Sequence, residues 1–288
     1  TTPVAPEVFA AMRPWLQEHF GNPSSSHAYG QRAAKAIALA RGEVAELIGA
    51  TPHEIVFTGC ATEANNLALM GVSRALVLPK RHLVISCIEH PAVAAPAAAL
   101  REQGWQVTSV PVDEYGRTSA AEVEKALRAD TALVSVMHAN NEVGTLQPIT
   151  DIASVTQPRG ILLHTDAAQS VGKLPVKVNG LGVDLLTIAG HKFGAPKGIG
   201  ALYVRAGTPI RSILHGADQE NGLRPGTENV ALIVALGAAA ALASQELPAL
   251  TDRLRMLRDR LHERLARGLA GLQLNGHSEF RLPNTLHV

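Results

Sequence analysis

The chain has 288 residues, of which 46% are hydrophobic and 18% are charged, and its formal net charge is +1. A near-neutral charge creates no long-range field, so neither nucleic acid nor an anionic membrane surface is expected as a partner. The length suits one large domain or two smaller ones. Cys60 and Cys87 are the two cysteines. They have no metal-ligand spacing and form no disulfide framework, which predicts no metal site and fits a reducing, cytoplasmic compartment.

The longest uncharged apolar segment covers residues 230–243 and is rich in alanine. It is shorter than the roughly 18 residues that a membrane-spanning helix requires, so a buried helix is predicted instead. The chain starts at Thr1 without an initiator Met, and residues 286–288 read as the middle of a strand. We therefore expect a piece of a longer protein.

Helical and strand periodicities alternate along most of the chain. In chain order, the sequence predicts helices at 6–20 and 29–47, a strand at 54–58, a helix at 63–76, a strand at 82–87, a helix at 92–103, a strand at 106–112, a helix at 120–127, a strand at 132–138, a helix at 149–155, and strands at 161–165, 185–188 and 199–204. This alternation indicates the α/β class, with a mostly parallel central sheet and helices on both faces. Ligands in such folds bind at the carboxyl ends of the strands.

Leucines at three- and four-residue steps from Leu254 to Leu272 predict an amphipathic helix near the end of the chain. Its interspersed arginines and acids favour a solvated helix face over an anionic partner. The Leu247-Pro248 step marks a predicted domain boundary. Residues 1–245 would form a large domain, within which residues 1–20 pack on the small one. Residues 246–288 would begin a small C-terminal α+β domain that is incomplete.

Lys192 lies just past the predicted buried strand of residues 185–188, in a Gly-His-Lys sequence. Burying an ammonium group costs free energy unless the amine is neutral, paired or covalently used. One such use is a bond to the aldehyde carbon of pyridoxal phosphate (PLP). The alternative is an ordinary surface lysine at a strand end. The other strand ends help to decide between the two.

Three further segments at strand ends carry polar residues that suit a phosphorylated, flat heteroaromatic ligand. Residues 58–63 predict a strand, turn and helix whose free N–H groups and Thr62 hydroxyl suit a phosphate. Thr62 as a helix N-cap explains the residue equally well. His90 can stack on a flat ring or simply begin a helix. Asn140 and Asn141 can bond a ring oxygen and a substrate carboxylate, or be ordinary loop residues.

Asp166 directly follows the apolar strand of residues 161–165 and is expected to be partly buried. A buried carboxylate needs a cationic or hydrogen-bonding partner, and a protonated pyridine nitrogen is one. Gln169 would reach the ring hydroxyl if a helical turn has begun, while an Asp N-cap is the alternative interpretation. Together with Lys192, these residues supply the parts of a PLP site. A nucleotide site is disfavoured because no G-x-G-x-x-G motif is present.

These motifs, taken in order, resemble those of cysteine desulfurases, which are fold-type I PLP enzymes of the class V aminotransferase type. The matching segments extend over essentially the whole chain: residues 1–4, 21–25, 61–63, 89–90, 140–144, 164–170, 190–192 and 224–229. Selenocysteine lyases share nearly all of them. The resemblance implies conversion of L-cysteine to alanine, with the sulfur kept as an enzyme persulfide and passed to an acceptor protein.

The resemblance also implies a role for each residue around the ring. Lys192 would bind the cofactor covalently and remove the α proton of the substrate. His90 would stack on the ring and move protons near it. Asp166 would pair with the ring nitrogen. Gln169 and Asn141 would contact the ring oxygen and the substrate side.

A second group of residues is implied around the phosphate. Ala61, Thr62 and His191 would hold it within one subunit. Thr227 of the partner subunit would reach the same phosphate, which implies a homodimer with shared active sites. Arg224 lies in the same loop as Thr227 and is expected on the substrate side.

Three departures from the family pattern stand out. Ala189 replaces a serine, which removes one phosphate hydroxyl, and Cys60 replaces a glycine beside the phosphate site. The nucleophilic cysteine and the arginine that binds the substrate carboxylate are expected beyond residue 288. Cys60 and Cys87 are instead expected to be small buried residues.

The alternatives to a cysteine desulfurase are a selenocysteine lyase, or a catalytically silent relative that acts as an assembly partner.

Overall fold

The computed structural model describes residues 1–76 and 80–288 of the chain. Its helices are α1 (Pro6–Gln17), α2 (Ala28–Ile48), α3 (Ala61–Ala75), α4 (Pro91–Glu102), α5 (Ala120–Ala126), α6 (Ile149–Thr156), α7 (Val178–Leu181) and α8 (Val230–Gly268). Its strands are β1 (Ile55–Thr58), β2 (His82–Ser86), β3 (Gln106–Val110), β4 (Thr131–Ser135), β5 (Leu162–Asp166), β6 (Leu185–Ala189) and β7 (Gly200–Val204). Each helix and strand predicted between residues 6 and 204 is present, although several ends differ by a few residues.

One seven-stranded sheet forms the centre, in the order β1-β7-β6-β5-β4-β2-β3. Strand β7 is antiparallel to both of its neighbours, while the pairings among β2 to β6 are parallel. Strands β2, β4 and β6 are buried along their whole length. Continuous apolar strands of this kind are what a sheet covered on both faces requires. The predicted α/β class with a mostly parallel sheet is confirmed.

Two hydrophobic clusters cover opposite faces of the sheet. Leu186 of β6 belongs to the cluster shared with α2, α6 and α8, whereas Leu185 belongs to the cluster shared with α3 and α4. Val84 and Leu83 of β2 are divided in the same way. Because successive side chains of a strand point to opposite faces, this division requires helices on both sides of the sheet.

Helix α8 is 39 residues long and runs through Pro248. Its first half packs with α1 and α2 in the core. Length and composition alone would allow α8 to cross a membrane, but 44% of its most apolar stretch is buried inside the protein. We therefore interpret residues 230–243 as the buried core helix predicted from the sequence. The predicted domain boundary falls within this helix, and the division into two domains stays a prediction.

The end of the chain differs from its prediction. The sequence predicts a strand that includes residues 286–288, but these residues have no regular secondary structure. One backbone hydrogen bond, from the Asn275 N–H to the His287 carbonyl at 2.9 Å, ties the segment to the protein. A single bond of this kind does not make a strand ladder.

Candidate active site

A cavity of about 290 Å³ opens beyond the carboxyl ends of β4, β5 and β6, next to the first residues of α3 and α4. Eight of the nine residues predicted to bind the cofactor line it: Ala61, Thr62, His90, Asn141, Asp166, Gln169, His191 and Lys192. Thr227 and Arg224 are not among the lining residues. The parallel strands account for this gathering, because their carboxyl ends meet at one edge of the sheet.

The first turn of α3 presents free backbone donors at the cavity. Cys60 is the N-cap residue, and its side chain makes no capping hydrogen bond. The Ala64 N–H is the first to donate within the helix, to the Cys60 carbonyl, so the N–H groups of Ala61, Thr62 and Glu63 have no intrahelical acceptor. With the positive end of the helix dipole, they form a site suited to a phosphate. Thr62 is the second helical residue, so its interpretation as the N-cap was wrong.

Both cysteines are exposed, which contradicts the expectation that they are buried. Cys60 lines the cavity because its backbone leads from β1 into α3. Its side chain therefore lies beside the phosphate site. Cys87 follows the last residue of β2.

Asp166 ends β5, and its side chain is buried at the base of the cavity. One carboxylate oxygen accepts from Asn65 Nδ2 at 2.7 Å, and the other accepts from the Ala168 N–H at 2.9 Å. Burial raises the pKa of Asp166, and these hydrogen bonds and the charges of His90 and Lys192 oppose that shift. Both hydrogen-bond donors are neutral, and within residues 1–76 and 80–288 no cation forms an ion pair with the buried carboxylate.

Asn65 is a site residue that the sequence reasoning missed. It is fully buried on the apolar face of α3, among residues such as Leu67 and Ala68. Its Nδ2 donates to Asp166, and its Oδ1 has no hydrogen-bond partner among the described residues. The signal was present in the sequence, because a buried amide within an apolar helix face needs a polar partner across the core.

Lys192 ends a short 3₁₀ turn, residues 190–192, that follows β6. The turn is tight, since a Cβ atom on Gly190 would lie 3.0 Å from the Ile199 carbonyl oxygen and from a methyl group of Leu236. His191 Nδ1 lies 3.0 Å from the Thr1 hydroxyl. Burial and, next, the charge of Lys192 lower the pKa of His191, which favours its neutral form.

His90 is both a helix cap and a cavity residue. Its Nδ1 accepts from the Ala92 N–H at 3.0 Å, at the start of α4. Because Nδ1 is the acceptor, the proton of the neutral ring lies on Nε2. The ring also lines the cavity. The two interpretations of His90 are therefore compatible.

The two neighbouring asparagines have different surroundings. Asn140 is buried, and its Oδ1 accepts from the N–H groups of Glu142 and Val143. This turn shapes the loop after β4. Asn141 lines the cavity, and its Nδ2 donates to Glu142 Oε1 at 2.6 Å. Only Asn141 of the pair is therefore placed to face a ligand.

Arg224 lies outside the cavity and is paired with a residue of α3. Its Nε donates to Glu63 Oε1 at 2.8 Å, and the other oxygen of Glu63 accepts from the Gly59 N–H at 2.8 Å. These bonds connect the loop after β7 to the turn between β1 and α3. The substrate role of Arg224 stays a prediction.

Glu89 is a second residue that the sequence reasoning left without a role. Its Oε1 accepts from Ser86 Oγ and from the Met137 N–H, and its buried Oε2 has no partner among the described residues. Burial raises the pKa of Glu89 to about 8, and the nearby carboxylate of Asp166 adds to the shift. Folding therefore favours the protonated acid.

This shift predicts how the stability of the cofactor-free protein depends on pH. The stabilisation from Glu89 is complete below the ordinary carboxyl pKa and is lost as the pH rises towards about 8. Glu89→Gln keeps an oxygen for Ser86 and Met137, so we expect a smaller fall in the free energy of unfolding between pH 5 and 8. Urea unfolding at several pH values measures this. An unchanged pH dependence in Glu89→Gln would contradict the assignment.

The site fits PLP on three independent grounds. The buried Asp166 carboxylate has two neutral donors and no cationic partner in the described part of the chain, and a protonated pyridine nitrogen would be such a partner. The first turn of α3 leaves the N–H groups of residues 61–63 without an intrahelical acceptor, and phosphate oxygens suit these donors. Lys192 offers an amine on the same cavity. An acid, an amine and a helix N-terminus around one cavity on this sheet define the fold-type I class of PLP-dependent enzymes.

The sequence matches the Aminotransferase class-V family over residues 1–288, and the chain belongs to that family. It is 46% identical over 287 residues to the cysteine desulfurase IscS of Dictyoglomus turgidum. The match covers 100% of this chain and 73% of that protein. Two solved structures are also similar. A NifS-like protein has a TM-score of 0.95 at 40% identity, covering 99% of this chain and 78% of its own. SspA in complex with cysteine has a TM-score of 0.81 at 45% identity, and the match covers 83% of this chain and 70% of the SspA chain.

Proposed function

We propose that this protein is a PLP-dependent cysteine desulfurase that takes sulfur from L-cysteine and releases alanine. The observation that carries the proposal is the buried Asp166 carboxylate on the same cavity as the amine of Lys192; among the residues that the structure describes, its two hydrogen-bond donors are neutral. The substrate is supported by the relative named cysteine desulfurase and by the similar structure that contains cysteine. The first of these similarities covers 100% of this chain and therefore includes every segment that lines the cavity.

Each cavity residue has a defined task in this proposal. When bound, PLP acts as an electron sink for the charge left on the α carbon after proton removal. The Asp166 carboxylate would keep the ring nitrogen protonated, and the positive charge of that nitrogen would stabilise the carboxylate. Lys192 anchors the cofactor and removes the α proton. His90 offers its Nε2 proton beside the ring.

The remaining cavity residues orient the ligands. The first turn of α3, with Ala61, Thr62 and His191, holds the phosphate. Asn141 and Gln169 bind the ring oxygen and the substrate side. We assign no residue of this sequence to the attack on sulfur, since Cys60 lies beside the phosphate site and Cys87 does not line the cavity. The persulfide sulfur passes to an acceptor protein in the cytoplasm.

The two alternative functions are not favoured. The relative at 46% identity is named a cysteine desulfurase, which does not support a selenocysteine lyase. A catalytically silent partner would not need a buried acid and an amine on a well-formed cavity. Ala189 and Cys60 both line that cavity without closing it.

The decisive experiment uses purified full-length protein. We expect a yellow protein that borohydride bleaches, and that forms equal amounts of alanine and sulfide from L-cysteine in the presence of a thiol reductant. Rates with selenocysteine provide the comparison with the lyase. Colourless protein that takes up no added PLP would overturn the proposal.

We further propose a homodimer in which Thr227 of the partner subunit completes the phosphate site. Thr227 is exposed and does not line the cavity of its own subunit, as a residue that acts on another subunit requires. Thr227→Ala should weaken PLP binding by about 10- to 100-fold, because a hydrogen bond to a charged group is lost. Equilibrium dialysis of the apoprotein measures this.

Thr227→Ser is the matched control for that prediction, because it keeps the hydroxyl and should bind PLP normally. A mixture of Thr227→Ala and Lys192→Ala subunits supplies a further check, since a mixed dimer contains one complete site. Unchanged PLP affinity in Thr227→Ala, or a monomer by sedimentation equilibrium, would contradict the shared site.

A further inference from the structure

Lys173 lies behind the cavity wall, in the turn that follows β5. Its Nζ is 3.2 Å from Gln169 Oε1, four residues earlier. The backbone of Lys173 is held from two sides, since its N–H donates to the Ser170 carbonyl and its own carbonyl accepts from Thr251 of α8. The side chain is therefore directed back across the turn to Gln169. Among the described residues, no carboxylate forms an ion pair with Lys173.

The charged and titratable groups that face Lys173 do not neutralise it. Burial and the charge of Lys192 lower the pKa of Lys173 to about 8. His191 and the amino group of Thr1 also lie within its electrostatic range. A half-buried ammonium beside a second amine is unfavourable by itself. Its side-chain hydrogen bond to an amide oxygen indicates a specific use.

The chemistry of the contact determines how the Gln169 amide is oriented. An ammonium group has donors and no acceptor, so it must face the amide oxygen rather than the amide nitrogen. Gln169 lines the cavity, and with its oxygen held by Lys173 the NH₂ group is left to face a ligand. A glutamine without such a neighbour can present either end. Lys173 therefore makes Gln169 a hydrogen-bond donor at the cavity.

We propose that Lys173 is a positioning residue that orients Gln169 to donate to the phenolic oxygen of PLP. The inference rests on the proposed function, because it requires PLP in this cavity. The donated hydrogen bond and the nearby positive charge both stabilise a phenolate. Both would also lower the pKa of the Lys192 nitrogen when it anchors the cofactor. Lys173 thereby adjusts the pH at which the bound cofactor changes its protonation state and its colour.

The test is a pH titration of the visible absorbance band of the full-length holoenzyme. Lys173→Met should move the midpoint of this titration upward by about one pH unit, because a cation and a donor to the phenolate are lost together. Lys173→Arg keeps the charge and the donors, so its midpoint should stay close to that of the wild type. Lys177→Met is the matched control, since Lys177 donates to the carbonyls of Glu46 and Leu47 instead.

A second pair of variants tests whether Lys173 acts through Gln169. Gln169→Leu should move the midpoint in the same direction. In that background, Lys173→Met should retain less than about half of its effect, as expected for two residues that act together. A full additional shift would overturn the positioning role.

The visible band of the wild-type protein separates the role of Lys173 from PLP binding itself. A yellow wild-type protein whose titration midpoint is the same in Lys173→Met would overturn the role of Lys173 alone. A wild-type protein that does not acquire the visible band with added PLP would overturn both.

Discussion

Lys192→Ala is expected to slow the exchange of the α proton of L-alanine with solvent by about 10³-fold or more, because one side chain serves as both anchor and base. Alanine has no sulfur to lose, so its exchange isolates proton removal from the later attack on sulfur. Full-length protein in D₂O allows the loss of the α-proton signal to be followed by NMR. Borohydride should also fail to fix the cofactor to this variant.

The control for that prediction is Lys197→Ala. Lys197 belongs to the same loop but is exposed and does not line the cavity. Its replacement should leave the exchange rate and the borohydride reaction unchanged. Wild-type exchange in Lys192→Ala, or a comparable loss in Lys197→Ala, would remove Lys192 from its assigned role.

Asp166→Asn should reduce the same exchange rate by about 10²- to 10³-fold, which is typical for the loss of one preorganised electrostatic contact. The replacement keeps an oxygen that can accept from the Ala168 N–H at the position of the present bond. It removes the charge that keeps the ring nitrogen protonated. The visible spectrum of the bound cofactor and the NMR exchange rate together measure this effect.

The cofactor-free protein supplies the control for Asp166. Without the ring nitrogen, the buried negative charge of Asp166 is expected to destabilise the fold instead of supporting catalysis. Burial raises the pKa of Asp166, so its stabilising contribution is present at low pH and is lost as the pH rises through that raised pKa. Asp166→Asn should therefore unfold at an equal or higher urea concentration than the wild type at neutral pH. A large loss of stability in the cofactor-free variant would mean that Asp166 acts mainly in folding.

Much of the site was predictable because strand ends can be read from local patterns. Asp166 directly follows an apolar strand and Lys192 follows another, and parallel strands bring such ends to one edge. The resemblance to a known family then supplied a role for each polar residue. Thr227 is a different case, because its predicted role depends on a second subunit.

The residues that were missed act through contacts between distant parts of the chain. Asn65 lies 101 residues before its partner Asp166, and the Glu89 backbone partner Met137 lies 48 residues further on. Periodicity assigns such residues to a helix face or a turn, but it does not identify the group on the other side of the core. The exposure of Cys60 was missed for a related reason, since it depends on how the turn into α3 opens onto the cavity.

The sequence by itself determined the order of helices and strands, the α/β class and the candidates for acid, amine and phosphate site, because these follow from local patterns of apolar and polar residues. The tertiary structure decided which amide supports Asp166, which end of Gln169 faces the ligand, and that Arg224 is bound to Glu63. The physical reason is that hydrogen bonding and burial are set by neighbours in space. Those neighbours are known only after the strands have been packed side by side.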